Sequence, residues 1–188
     1  MSRSVCVFCG SSATVDPSFL RIASDVGKLL AVGGFRVVYG GASVGMMGAA
    51  ADAALLAGGA VLGVIPAALD AREIAHRTVT ELRVVDSMHT RKKMMADESD
   101  AFVALPGGFG TMDELFEITT WRQIGLHDKP IALLNVNGFY DPLVAWIRSA
   151  AAHKFIPPHV EHAIDVVTDL AGLGSWLDRV PDHPVDIR

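Results

Sequence analysis

The sequence predicts an α/β protein with a Rossmann-like, doubly wound, mostly parallel sheet carrying helices on both faces. Short, largely apolar runs alternate with longer helical stretches from one end of the chain to the other. Such runs fit strands covered on both faces, as parallel strands are. Glycine- or serine-rich turns follow three of them, at Gly10-Ser11-Ser12, Gly40-Gly41-Ala42-Ser43 and Pro106-Gly107-Gly108-Phe109-Gly110-Thr111. Right-handed crossovers would gather all three turns on one edge, where doubly wound sheets bind ligands.

Residues 5–9 read as the first strand. Asp16-Pro17 opens a helix, with Asp as N-cap and Pro at the first helical position, and Gly33-Gly34 closes it. A second strand covers 36–39. A small-residue helix over 44–57 stops at Gly58-Gly59, and a third strand, 61–65, ends at Pro66. A short strand over 82–85, a helix over 88–97 and a strand over 101–105 come next. A helix over 111–124, a strand over 131–134, a helix over 143–152, a strand over 164–167 and a final helical stretch from Asp169 complete the order. The tail 181–188 reads as loose. No linker or repeat interrupts the series, so residues 1–188 form a single domain.

A net charge of −5 gives no basic coat for nucleic acid and no polybasic membrane anchor. No apolar run reaches spanning length, and 5–8 is too short for the apolar core of a signal peptide. The expected location is therefore cytoplasmic. Cys6 and Cys9 fall on one strand and face opposite ways, which disfavours a disulfide. No second cysteine pair or histidine cluster accompanies them. They read as buried thiols, and no metal is expected.

The chemistry concentrates in Leu105-Pro106-Gly107-Gly108-Phe109-Gly110-Thr111-Met112-Asp113-Glu114. A glycine-rich turn from strand into helix lets backbone N–H groups approach an anion, and the helix N-terminus adds its positive dipole end. The glycines match neither the dinucleotide fingerprint nor a P-loop. Glu114 admits two readings. Thr111-x-x-Glu114 is a capping-box pattern, in which the carboxylate serves only the helix end. Alternatively, Glu114 is a carboxylate poised to face a developing positive charge. Ser87-Met88-His89-Thr90-Arg91-Lys92-Lys93 places a basic cluster at a helix start, against the dipole, and so asks for an anionic partner. Arg91 suits oriented contacts, whereas Lys92 supplies a point charge. Met88, Met94 and Met95 read as core or interface filler. Arg72 and Glu73 read as surface charges in a long connection, and Leu126-His127-Asp128-Lys129-Pro130 as a loop without a derivable role.

Taken together, these stretches resemble the Lonely Guy family of cytokinin riboside 5′-monophosphate phosphoribohydrolases. The segment from Pro106 to Glu114 resembles that family's P-G-G-x-G-T-x-x-E signature, and Met88-His89-Thr90-Arg91-Lys92 its M-H-x-R-K element. Val38-Tyr39-Gly40-Gly41, Gly45-Met46-Met47-Gly48, Gly63-Val64-Ile65-Pro66 and His127-Asp128-Lys129-Pro130 also look familial. The resemblance implies hydrolysis of the N-glycosidic bond of a nucleoside 5′-monophosphate, with AMP included among the substrates. It implies a homodimer, with sites near the interface, and needs neither cofactor nor metal. Arg91 and Glu114 match the catalytic pair. Glu73, Met88, Lys92, Gly107, Gly108, Phe109, Gly110, Thr111, Met112, Asp113 and Thr120 match ligand-binding positions. The label lysine decarboxylase, often given to such proteins, is rejected because no pyridoxal-phosphate lysine site is evident. The competing class is a nucleotide-binding or carrier module that keeps the phosphate seat without turnover.

Overall fold

The computed structural model describes residues 3–70, 74–157 and 162–181. In chain order the elements are β1 (Ser4–Phe8), α1 (Pro17–Val32), β2 (Arg36–Tyr39), α2 (Gly45–Leu56), β3 (Val61–Pro66), α3 (Ala67–Asp70) and β4 (Glu81–Val85). There follow α4 (Met88–Asp97), β5 (Ala101–Ala104), α5 (Phe109–Gln123), β6 (Ile131–Leu134), α6 (Asp141–Ala152), β7 (Asp165–Val167) and α7 (Leu170–Leu177). The strands form one seven-stranded sheet in the order β4-β3-β2-β1-β5-β6-β7. All pairings between them are parallel.

The sheet is buried on both faces, as the apolar runs require. On one side Val5, Val7, Val37 and Val103 pack against Ala23, Val26 and Leu30 of α1, Ala50 and Ala54 of α2, and Leu173 and Trp176 of α7. On the other, Cys6, Phe8, Val38 and Phe102 meet Met95 of α4, Leu115 and Ile118 of α5, and Leu143 and Val144 of α6. Cys6 and Cys9 thus lie in opposite layers, both buried and both free. Asp16 caps α1 as expected, its carboxylate accepting from Ser18 N–H at 2.8 Å. The chain winds outward from β1 to β4 and then returns to build β5 on the other side of β1. That reversal makes a crevice outside the carboxyl ends of β1 and β5, the place where such sheets take ligands. Gly10 N–H donates to the Pro106 carbonyl at 3.1 Å across this crevice and ties the two turns together.

Two short pieces were not expected. α3 is a single turn, and a 3-10 turn at Val136–Gly138 precedes α6. Residues 71–73 and 182–188 lie outside the described residues, so Glu73 and nearly all of the expected loose tail are not described.

Candidate active site

All three expected turns reach one cleft of about 620 Å³ at the carboxyl edge of the sheet. Gly10, Ser11 and Ser12 form one lip, Gly107 to Thr111 another, and Gly40 with Ile65 the floor near Arg91. Close packing explains two of the glycines. A side chain at Gly40 would overlap the Arg91 guanidinium, and one at Gly107 would overlap Thr111. Gly108 and Gly110 differ. Nothing lies within 4 Å of where their Cβ atoms would stand, and neither has a positive φ. The fold does not require glycine there. An open strip of backbone at a helix N-terminus is what a bound anion needs.

α5 begins earlier than the sequence suggests. Gly108 is its N-cap without any side-chain hydrogen bond, and Met112 N–H already donates to the Gly108 carbonyl at 3.1 Å. Glu114 therefore sits in the second turn, away from the cap, and the capping-box reading is overturned. Its carboxylate instead meets Arg91, with Nη2 to Oε1 at 3.3 Å. Both side chains are almost wholly enclosed, at 8% and 7% exposure. Arg91 comes from α4, and its Nε donates to the Val64 carbonyl of β3 at 3.1 Å, which fixes the guanidinium plane. Burial pushes the Glu114 carboxyl up to about 7, with Arg91 opposing the rise. The Cys9 thiol, also lining the cleft, is held protonated by burial and then by the Glu114 charge.

The other expected residues separate into groups. Phe109 stands on the cleft rim, 97% exposed, and Thr111 lines the cleft while nearly buried. Met88 contacts Arg91 through its sulfur, 3.9 Å from Nη1. Lys92 is not a free cation. Its Nζ lies 3.0 Å from Asp113 and 3.2 Å from Glu117, outside the cleft lining. Burial alone would lower its pKa, but those carboxylates raise it above the ordinary value. Met112 packs on the α4–α5 side of the core. Thr120 is not brought to the cleft. Its hydroxyl donates to the Phe116 carbonyl, and the residue lines a separate groove with Phe116, Val144, Trp146 and Ile147. Met95 is core, whereas Met88 remains exposed. Sequence reasoning missed the apolar walls of the cleft, Phe19, Phe139, Leu69 and Ile74. Apolar side chains carry no motif, so nothing in the sequence marks these four as cleft residues.

A family model described as "Possible lysine decarboxylase" matches residues 47–174. The chain is 46% identical over 182 residues to the cytokinin riboside 5′-monophosphate phosphoribohydrolase LOG1 of Arabidopsis thaliana, covering 96% of this chain and 85% of that protein. It is 49% identical over 162 residues to the probable phosphoribohydrolase LOGL2 of Oryza sativa subsp. japonica, covering 86% of this chain and 66% of the relative. Among solved structures, the molybdenum cofactor carrier protein of Chlamydomonas reinhardtii superposes with a TM-score of 0.75 at 23% identity, over 96% of this chain and 98% of that one. The molybdenum cofactor binding protein of Rippkaea orientalis gives 0.73 at 20% identity, over 95% and 96%. At those identities the likeness is one of fold. With the family model spanning over half the chain and close relatives nearly all of it, this chain belongs to the Lonely Guy family of cytokinin riboside 5′-monophosphate phosphoribohydrolases.

Proposed function

We propose that this chain hydrolyses the N-glycosidic bond of cytokinin riboside 5′-monophosphates and of AMP, releasing the free base and ribose 5-phosphate. The observation that carries the reading is the enclosed Arg91–Glu114 pair beside an open glycine turn in one cleft. The names of the similar plant proteins support the substrate class. Cleavage passes through an oxocarbenium-like transition state, so positive charge grows on the ribose as the bond breaks. Glu114, when ionised, faces that charge from an enclosed position, where such a carboxylate is worth most. It also offers an acceptor to an incoming water. Arg91 opposes protonation of Glu114, and its Nη1, held among the described residues only by the weak Met88 sulfur contact, retains donors for the nucleotide. The amides from Gly108 to Thr111 take the 5′-phosphate, and this remote binding energy holds the reacting bond in place. Decarboxylation with pyridoxal phosphate does not fit the cleft, since none of its described lining residues is a lysine that could hold that cofactor.

The chain acts as a homodimer in the cytoplasm. Thr120, matched to a ligand position by resemblance, lies on the α5–α6 face away from its own cleft, so it serves a nucleotide only across a dimer. That face carries Trp146, 55% exposed, in edge contact with Phe116, as an apolar interface would. No helix among the described residues is long and apolar enough to cross a membrane.

The test compares AMP, N6-isopentenyladenosine monophosphate and adenosine by product chromatography. Both monophosphates should give free base, and adenosine should not. Cleavage of adenosine as efficient as that of AMP contradicts the phosphate seat. Light scattering that shows a fully active monomer contradicts the dimer.

A further inference from the structure

The loop before β6 carries two buried polar side chains that the mechanism above does not use. His127 is 5% exposed and Lys129 is 2% exposed. His127 Nε2 donates to the Ile118 carbonyl of α5 at 2.9 Å, and its Nδ1 accepts from Lys129 N–H at 3.1 Å. Both ring nitrogens are thus committed in the neutral form, and burial lowers the imidazole pKa accordingly. Lys129 Nζ donates to the Ala96 carbonyl at 2.9 Å, in the last turn of α4. A cation there meets the negative end of the helix dipole, beside the 3.4 Å bond that Ser99 N–H gives the same carbonyl. Burial pulls the Lys129 pKa down, with Asp100 and Asp97 opposing. No carboxylate closes an ion pair with Lys129 among the described residues, so the helix end is its main partner.

One three-residue loop therefore grips both helices that bear the proposed catalytic pair. Ile118 lies one turn beyond Glu114 on α5. Ala96 lies five residues beyond Arg91 on α4, about 7.5 Å along the axis. Apolar packing between the two helices, through Met95, Leu115 and Ile118, tolerates sliding. Directional bonds to two backbone carbonyls do not.

We propose that His127 and Lys129 are positioning residues that lock α4 to α5, and so hold Arg91 and Glu114 at their working separation. This rests on the hydrolase reading. Neither residue touches the cleft. Their loss should leave phosphate binding intact, because the glycine turn is tied separately to β1 through Gly10.

The experiment measures AMP hydrolysis against pH for wild type, Lys129→Met and His127→Phe. His127→Phe keeps a ring against Phe102, 5.6 Å from His127 between ring centres. A control, Val180→Ala, trims the core in the opposite layer. Glu114 is faced by Arg91 and Lys92 from α4, by Asp113 and Glu117 from its own helix, and by Cys6 and Cys9 from β1 and the turn beyond it. Of these, Arg91 is the strongest opponent of its protonation. Loosening α4 should therefore move the acid midpoint of kcat/KM upward. Turnover should fall about tenfold or more, since small misplacements of reacting groups are costly, while KM stays within about twofold. Val180→Ala should lose stability but keep the wild-type midpoint. If Lys129→Met does not fold, His127→Phe carries the same test. Wild-type kcat and midpoint in the folded variants, or a midpoint that falls, overturns the positioning role alone. Absence of hydrolysis in the wild type overturns the function itself and the inference with it.

Discussion

Glu114→Gln separates catalysis from stability, because the two should move in opposite directions. The substitution keeps shape and removes charge. The folded carboxyl titrates at about 7 against an ordinary 4.5, with burial as the main cause. A carboxyl whose folded pKa is raised costs nothing below about pH 4.5, where both states are protonated. It destabilises the fold progressively from there to about pH 7 and by a constant amount above. At about 1.4 kcal/mol per tenfold change in proton affinity, the plateau cost is on the order of 3 kcal/mol. Gln carries no such cost. The variant should thus be more stable than wild type at pH 8, by up to about 3 kcal/mol, and no more stable at pH 4.5. Turnover of AMP should fall by about 10² or more, the usual loss on removing a preorganised electrostatic partner. Urea melts at the two pH values, with adenine release followed by chromatography, read both quantities. Near-wild-type turnover in the folded variant would sink the catalytic assignment. A stability loss at pH 8 would sink the burial argument and revive a capping role.

Three further outcomes follow from the same geometry. Arg91→Ala breaks a buried pair and should cut kcat/KM by about 10² or more, whereas Lys92→Ala removes partly solvated pairs and should cost about fivefold or less; steady-state kinetics on AMP compares them, and equal mild effects would make the stretch a charged surface only. Gly110→Ala places a methyl in open space within the first turn of α5, so thermal melts should show a gain of about 0.5–1 kcal/mol while KM for AMP rises; an unchanged KM removes Gly110 from the phosphate seat. Wild-type kcat/KM should drop about tenfold per pH unit below about 7 as Glu114 protonates, and a flat profile down to pH 5 contradicts an essential carboxylate.

Strand cores and the sheet were legible in the sequence because burial on both faces leaves an unmistakable signature. Arg36–Tyr39, Met88–Asp97 and Ile131–Leu134 match their expected spans. The start of α5 was not legible, since Gly108 caps the helix without a side chain and so leaves no capping residue to read. α3 is too short to show periodicity. Within the site, motif and resemblance pointed to Arg91 and Glu114, but not to their mutual burial. That depends on α4, packed over β3, meeting α5, packed over β1, on the same face of the sheet. His127 and Lys129 looked like loop residues for the same reason, as their partners are backbone carbonyls, which carry no sequence identity. Lys92 and Asp113, matched to ligand positions by resemblance, also pair with each other, which a motif read along the chain does not show.

The Arg91–Glu114 pair also bears on the choice between hydrolase and carrier. A carrier for a nucleotide gains from every cation and amide near the phosphate and loses from every anion. Glu114 is an anion beside the proposed phosphate seat, enclosed at a cost on the order of 3 kcal/mol once ionised. For a carrier that arrangement weakens both fold and binding. It yields a return only where the bound molecule passes through a positively charged state. The glycosidic transition state supplies such a charge on the ribose, and the resting nucleotide does not. The placement therefore favours turnover over storage, on grounds independent of the names its relatives carry. The argument also explains why Arg91 is enclosed with Glu114. Without the guanidinium at 3.3 Å, burial would drive the carboxyl higher still, and the group would be neutral where its charge is needed.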